Sequence, residues 1–122
     1  MKKTKIKWLS APQKHDYPAA RTYLNLILQP RDAKKIVDKI KRASVQEFAA
    51  KDIFRAANVP LLSTTDNDVK KDRGLILHKK ALSPLLLYRD PTLSKLIIAD
   101  GYHRLCAVYS FDEQAMIPCQ IV

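Results

Sequence analysis

Apolar residues recur at three- and four-residue spacing in several stretches of this chain and run together or alternate in others. Ala20, Tyr23, Leu24 and Ile27 share one face of a predicted helix over 19–28, with Asp16 and Pro18 at its start and Pro30 as its stop. Ala33, Ile36, Val37, Ile40 and Ala43 mark the buried face of a second helix over 32–43, and Lys34, Lys35, Lys41 and Arg42 lie on its other side. The two are expected to form a hairpin. A further helix is read over 67–80, behind the cap candidates Ser63, Thr64, Thr65 and Asp66; its apolar face is thin (Val69, Ile76, Leu77) and Gly74 interrupts it. The last helix carries Tyr102, Leu105, Val108 and Tyr109 on one face.

Strands are expected over 45–53, 84–88, 95–99 and 116–122, with a short helical turn at 54–57. The segment 89–94, Arg-Asp-Pro-Thr-Leu-Ser, has turn composition and joins the second and third strands as a hairpin. Leu96, Ile97 and Ile98 suit a strand covered on both faces. Pro118 places the last strand at a sheet edge or its start. Residues 4–9 alternate weakly and read as a lysine-protected edge strand containing Trp8, the single tryptophan. The order of elements after residue 44 is strand, helix, strand, strand, helix, strand, which is an α+β class. One domain is expected over 1–122, with 1–44 as a basic helical extension on a core at 45–122.

Charge changes this picture. The net charge is +10. Residues 1–43 hold twelve Lys and Arg against three Asp, and the rest hold ten against nine acids, so the surplus sits in the first third. Such a face attracts phosphate backbones or acidic proteins, and it is also what a solubilising helix face looks like. No apolar run approaches a membrane span, and Met1–Lys7 lacks the apolar core of a secretory signal, so a cytoplasmic protein without a membrane partner is expected. Cys106 and Cys119 are the only cysteines and form no metal-spaced set, which points to two reduced, buried thiols.

The candidate chemistry lies where the third strand turns into the last helix, at Asp100-Gly101-Tyr102-His103-Arg104. Gly101 is one of two glycines, placed where positive φ and close ligand approach are needed. The first turn of a helix leaves N–H groups unpaired at the positive end of its dipole, which suits an anion. Arg104 adds a planar fork and His103 a further donor. The alternative is a plain turn with Asp100 as N-cap and Arg104 as a solvated charge.

From Val45 to Val122 the chain resembles the ParB/sulfiredoxin-like superfamily. The features are Lys51-Asp52-Ile53 on the first strand, a polar helix, then Leu82-Ser83-Pro84-Leu85-Leu86-Leu87, the hairpin, Asp100-Gly101-Tyr102-His103-Arg104-Leu105-Cys106-Ala107, and Ile117-Pro118-Cys119-Gln120-Ile121-Val122. The resemblance implies a small mixed sheet packed with helices and a nucleotide site at the glycine turn. Gly101, Tyr102, His103 and Arg104 would then bind phosphate, and Asp100 would orient the turn or help hold magnesium. ATP or CTP with Mg²⁺ is the implied ligand, and phosphoryl transfer the implied reaction class, with Asp100 and His103 as candidate catalytic groups. Tyr102 stands where sulfiredoxins carry their reactive cysteine, and Cys106 is no substitute for it. A single arginine stands in the motif where the DNA-clamping partition proteins carry a longer basic one, so partition activity is not expected. Glu47 lies in the region where free-serine kinases place a base, on a loose local match. Two other functions stay open: a nucleic-acid-binding module using Lys34, Lys35, Lys41 and Arg42, and a protein-interaction module with an unused pocket and an acidic partner.

Overall fold

A computed structural model describes residues 4–122. Its architecture follows from how the apolar run before the hairpin is shared between two layers. In β2 (Leu85–Asp90), Leu85 and Leu87 face one side of the sheet and Leu86 the other, and all three are buried. Helices cover both sides. On one face α3 (Ala50–Ala57), α4 (Asn67–Leu77) and α5 (Tyr102–Phe111) pack Ile53, Val69, Ile76, Leu105 and Val108 against Leu85 and Leu87. On the other, α1 (Asp16–Leu24) and α2 (Pro30–Arg42) pack Ala20, Leu24, Val37 and Ile40 against Leu86, and against Ile97 and Ala99 of β3 (Lys95–Asp100). With β1 (Val45–Ala49) and β4 (Met116–Ile121) the strands lie in the order β1-β4-β2-β3. β1–β4 and β2–β3 are antiparallel and β2–β4 is parallel, so the class is α+β with a mixed sheet.

Several elements differ from the sequence reading. The strand expected over 45–53 ends at Ala49, because Ala50, Ile53 and Ala57 repeat at helical spacing and bury one face of α3. The order after residue 44 therefore contains one more helix. α1 ends at Leu24, and residues 25–28 form turns that leave Ile27 half-exposed and Leu26 exposed. Pro30 opens α2 as its first residue, where its missing N–H costs nothing, and is not the stop of α1, which has already ended at Leu24. α4 stops at Leu77, three residues early, with Lys79 at positive φ. Residues 4–9 form no strand. Trp8 makes a single bridge to Leu82, with Leu9 N–H on the Leu82 carbonyl at 2.8 Å. Of the basic run Met1–Lys7, residues 1–3 lie outside the described residues.

Pro118 sits in an interior strand, not at the edge. It is opposite Glu47 of β1, and the pairing of β4 with β2 begins only at Cys119, so the proline has a ladder neighbour on one side alone. The edge strand next to the candidate turn is β3. α1 covers one face, where Ile97 and Ala99 are buried, while Leu96 and Ile98 on the other are only partly buried, so the run is covered less completely than expected.

Residues 16–42 are continuous with the sheet. Buried Gln120 of β4 accepts from the Tyr17 hydroxyl at 2.7 Å and donates to the Ala43 carbonyl at 2.9 Å, fastening both helices. Leu24 and Ile40 are fully buried. Leu24→Ala and Ile40→Ala should each lower unfolding stability by about 2–5 kcal/mol. A single urea transition with an unchanged midpoint would show instead that the two helices do not share the main core's stability.

Candidate functional site

The glycine turn is built as tightly as the sequence suggests. Gly101 has φ +109, and a Cβ there would lie 2.7 Å from Leu85 Cγ and 2.9 Å from Arg104 Nη2. Only glycine admits both the backbone angle and the close approach of these side chains. Gly101 is also the N-cap of α5, and no side chain caps that helix. Asp100 is therefore not the cap. Its carboxylate accepts from Arg104 Nη2 at 2.8 Å, one helical turn on.

Arg104 is neither a solvated charge nor turned outward. Its side chain is 15% exposed and folds back under the turn, between Asp100 and Asp16, with Nη1 3.8 Å from Asp16 Oδ2. Its Nε is buried without a hydrogen-bond partner among the described residues. Asp16, the first residue of α1, is 3% exposed at its side chain. Its carboxylate accepts from the Ser83 hydroxyl and lies 3.3 Å from His15 Nε2. Ser83 in turn accepts from Gln13 N–H at 3.1 Å. Burial pushes the Asp100 carboxyl upward, and the neighbouring guanidinium opposes that shift by charge and by hydrogen bond.

Beside this buried network runs an open groove of about 500 Å³ along the unpaired side of β3. Its floor is residues 95–100, its walls are Ala19 and Tyr23 of α1 and the loop residues Val59 and Pro60, and it ends on Gly101, Tyr102 and His103. Tyr102 closes that end by donating its hydroxyl to the Pro60 carbonyl. Thus Asp100, Gly101, Tyr102 and His103 line the groove, and Arg104 lies behind its wall. Lys95 lines the groove at the start of β3.

On the far side of His103 stand acids of α4. Asp66 caps α4 by accepting from the Asp68 and Val69 N–H groups at 3.0 and 3.1 Å. Asp68 Oδ2 is 3.7 Å from His103 Nε2. Donor atoms of Asp66, Asp68 and His103 lie within 4.8 Å of one another, a mixed oxygen and nitrogen set that suits Mn²⁺ or Zn²⁺ more than Mg²⁺. Asp100, held by Arg104, is not part of that set.

The basic residues of α2 are spread over its surface. Lys34 pairs with Asp38 at 3.0 Å, and Lys41 lies over the Tyr17 ring at 5.2 Å. Lys35 and Arg42 are exposed, and Lys35 and Lys39 flank a small cleft of about 320 Å³ that includes half-buried Tyr88. Glu47 is exposed on β1, opposite Pro118 and away from the groove's lining. Both cysteines are buried; burial raises the Cys106 thiol and pushes Cys119 up to about 12, so neither is poised as a thiolate.

Asp16, Ser83, Asp66 and Asp68 were not among the expected site residues. One signal was present for Ser83, a hydroxyl inside the apolar run 82–87, which must find a partner once buried. Asp16 and Asp66 carried only the mark of a helix start.

No protein-family model matches the chain, nor does any curated protein or solved structure.

One electrostatic consequence is testable. Burial raises the half-buried Asp72 carboxyl above its ordinary value, against the opposing charges of Arg104, His103 and Lys71. A carboxylate raised on folding binds more protons in the native state, so stability falls as pH rises above the ordinary carboxylate range, and the penalty vanishes below it. Asp72→Asn should therefore raise Tm at pH 7 and leave it unchanged near pH 3. A pH-independent effect in a Tm series would rule out this assignment.

Proposed function

We propose that the chain is a ParB/sulfiredoxin-like protein that binds a phosphate-bearing ligand, with a nucleotide as the leading candidate, in the groove along β3. The observation that carries this reading is the start of α5. A helix with no side-chain cap begins at a left-handed glycine and opens directly onto the groove. Its first N–H groups and the positive end of its dipole would receive one phosphate, with His103 as a second donor. Lys95 at the other end would meet a further anionic group, and Tyr23, Val59 and Pro60 would flank the apolar part of the ligand. Arg104 would act on the phosphate from behind Gly101, in competition with the carboxylates that now hold it.

A divalent ion arriving with the nucleotide would find Asp66, Asp68 and His103 better arranged than Asp100. For phosphoryl transfer the chain's own residues would supply charge stabilisation from α5 and Lys95, and His103 would serve as the proton-transfer group only when its imidazole is not held by the ion. Asp100 is less suited to that role while its carboxylate serves Arg104.

ATP or CTP with Mg²⁺ or Mn²⁺ should raise Tm, as linkage requires of any ligand that binds only the native state. His103→Ala and Lys95→Ala should each weaken that shift. Equal shifts in the wild type and both variants would move the ligand elsewhere, and no shift with any nucleotide would end the proposal.

A second reading rests on α2, which carries six basic residues against two aspartates and exposes Lys35, Lys39 and Arg42. Nucleic acid bound there would lose affinity steeply with salt, and charge reversal at Lys35, Lys39 and Arg42 would lower both the affinity and the salt slope. Binding of a labelled duplex that is indifferent to salt and to these changes would dismiss it.

A further inference from the structure

We infer that residues 13–24 are a built-in latch on the groove, in which the Asp16 carboxylate occupies the guanidinium that a bound phosphate would otherwise engage. The inference rests on the phosphate-ligand reading of the groove and adds how that site is regulated.

Three observations carry it. First, the arginine is under-used. Guanidinium has five N–H donors, but among the described residues the polar contacts of Arg104 comprise one hydrogen bond, to Asp100, and an ion pair with Asp16 at 3.8 Å, beyond hydrogen-bond reach. Its Nε is buried with no acceptor among them. A buried donor without an acceptor is costly, and an anion with three or four oxygens could satisfy it. Second, Asp16 is itself expensively placed. It is a nearly inaccessible carboxylate whose contacts are the Ser83 hydroxyl, exposed His15 and the distant Arg104 Nη1. Two carboxylates share one guanidinium, so less of its charge is available to an approaching anion than a single pair would leave. Third, Asp16 belongs to the same helix that walls the groove. α1 begins at Asp16 and presents Ala19 and Tyr23 to the ligand space, and Gln13 N–H and Asp16 both hold Ser83, just before β2. Moving this carboxylate away from Arg104 thus also shifts the groove wall.

The closed latch lowers apparent affinity by the fraction of molecules in which Arg104 is free. Neutralising or loosening Asp16 should remove that penalty. The experiment uses the full chain and titrates inorganic phosphate, pyrophosphate and ATP with Mn²⁺ by calorimetry. Asp16→Asn, which keeps the side chain's size and a partner for Ser83, should tighten binding by about tenfold. Ser83→Ala, which leaves the charges intact and frees one side of the latch, should tighten it by less and keeps the test open if Asp16→Asn does not fold. Arg104→Lys in the Asp16→Asn background should abolish the gain, because a point charge does not replace the planar fork. In the wild type, hydrogen exchange across Asp16–Leu24 should quicken when ligand binds. Wild type and variants that bind equally, or variants that bind more weakly, would overturn the latch and leave the groove reading standing. Failure of all proteins to bind any of these anions would overturn both.

Discussion

The structure around the glycine turn depends on one buried positive charge. Arg104 projects from the first turn of α5 back beneath Gly101, where Asp100 and Asp16 neutralise it from two directions. Gly101 must lack a side chain because Leu85 and this guanidinium fill the space a Cβ would need. Asp16 must be buried because the arginine is. Removal of Arg104 would leave two carboxylates in poor contact with water without their cation, whereas removal of one carboxylate leaves the other to pair with it. One ion cluster thereby links the end of β3, the first turn of α5 and the start of α1.

The consequence for function is a division of the motif into two layers. Gly101, Tyr102 and His103 line the groove, and Arg104 waits behind them. The outer layer offers N–H groups, an imidazole and a helix end; the inner layer offers a charge already shared between two acids. In the proposed reading, the attraction of an anion would depend on what α1 does with its carboxylate, and α1 is also one wall of the groove. The acids of α4 add a further constraint, since Asp66 and Asp68 approach His103 from outside and disfavour a naked polyphosphate next to it. A ligand that brings or recruits a cation would meet less resistance.

The helices before residue 44 contribute to this arrangement more than an appended basic arm would. Their apolar faces complete the core on one side of the sheet, and Gln120 ties them to the central strand. Their lysines stay outside, where Asp38 and the Tyr17 ring take up two of them. Basic surface and buried acid therefore coexist in one segment: the outer face is free to meet a polyanion, and the inner face holds the arginine.

Local pattern alone was enough to determine the α+β class, the two N-terminal helices, the hairpin, the glycine turn and the helix after it, because each is set by spacing, capping and φ preferences within a dozen residues. It misplaced elements where two local signals competed. Residues 45–53 mix alternation with alanine-rich helical spacing, and only packing of Ile53 into the core decides for a helix from Ala50. Pro118 suggested an edge, yet strand order depends on which partners the chain brings from afar. The tertiary structure alone decided what surrounds Arg104. Asp16 and Ser83 are separated by 67 positions and meet only when α1 closes over the sheet. Sequence pattern can say that an acid starts a helix or that a hydroxyl interrupts an apolar run. Which buried charge they will face is a matter of three-dimensional packing, since a low-dielectric interior makes the cost of an unpaired charge depend on every neighbour at once.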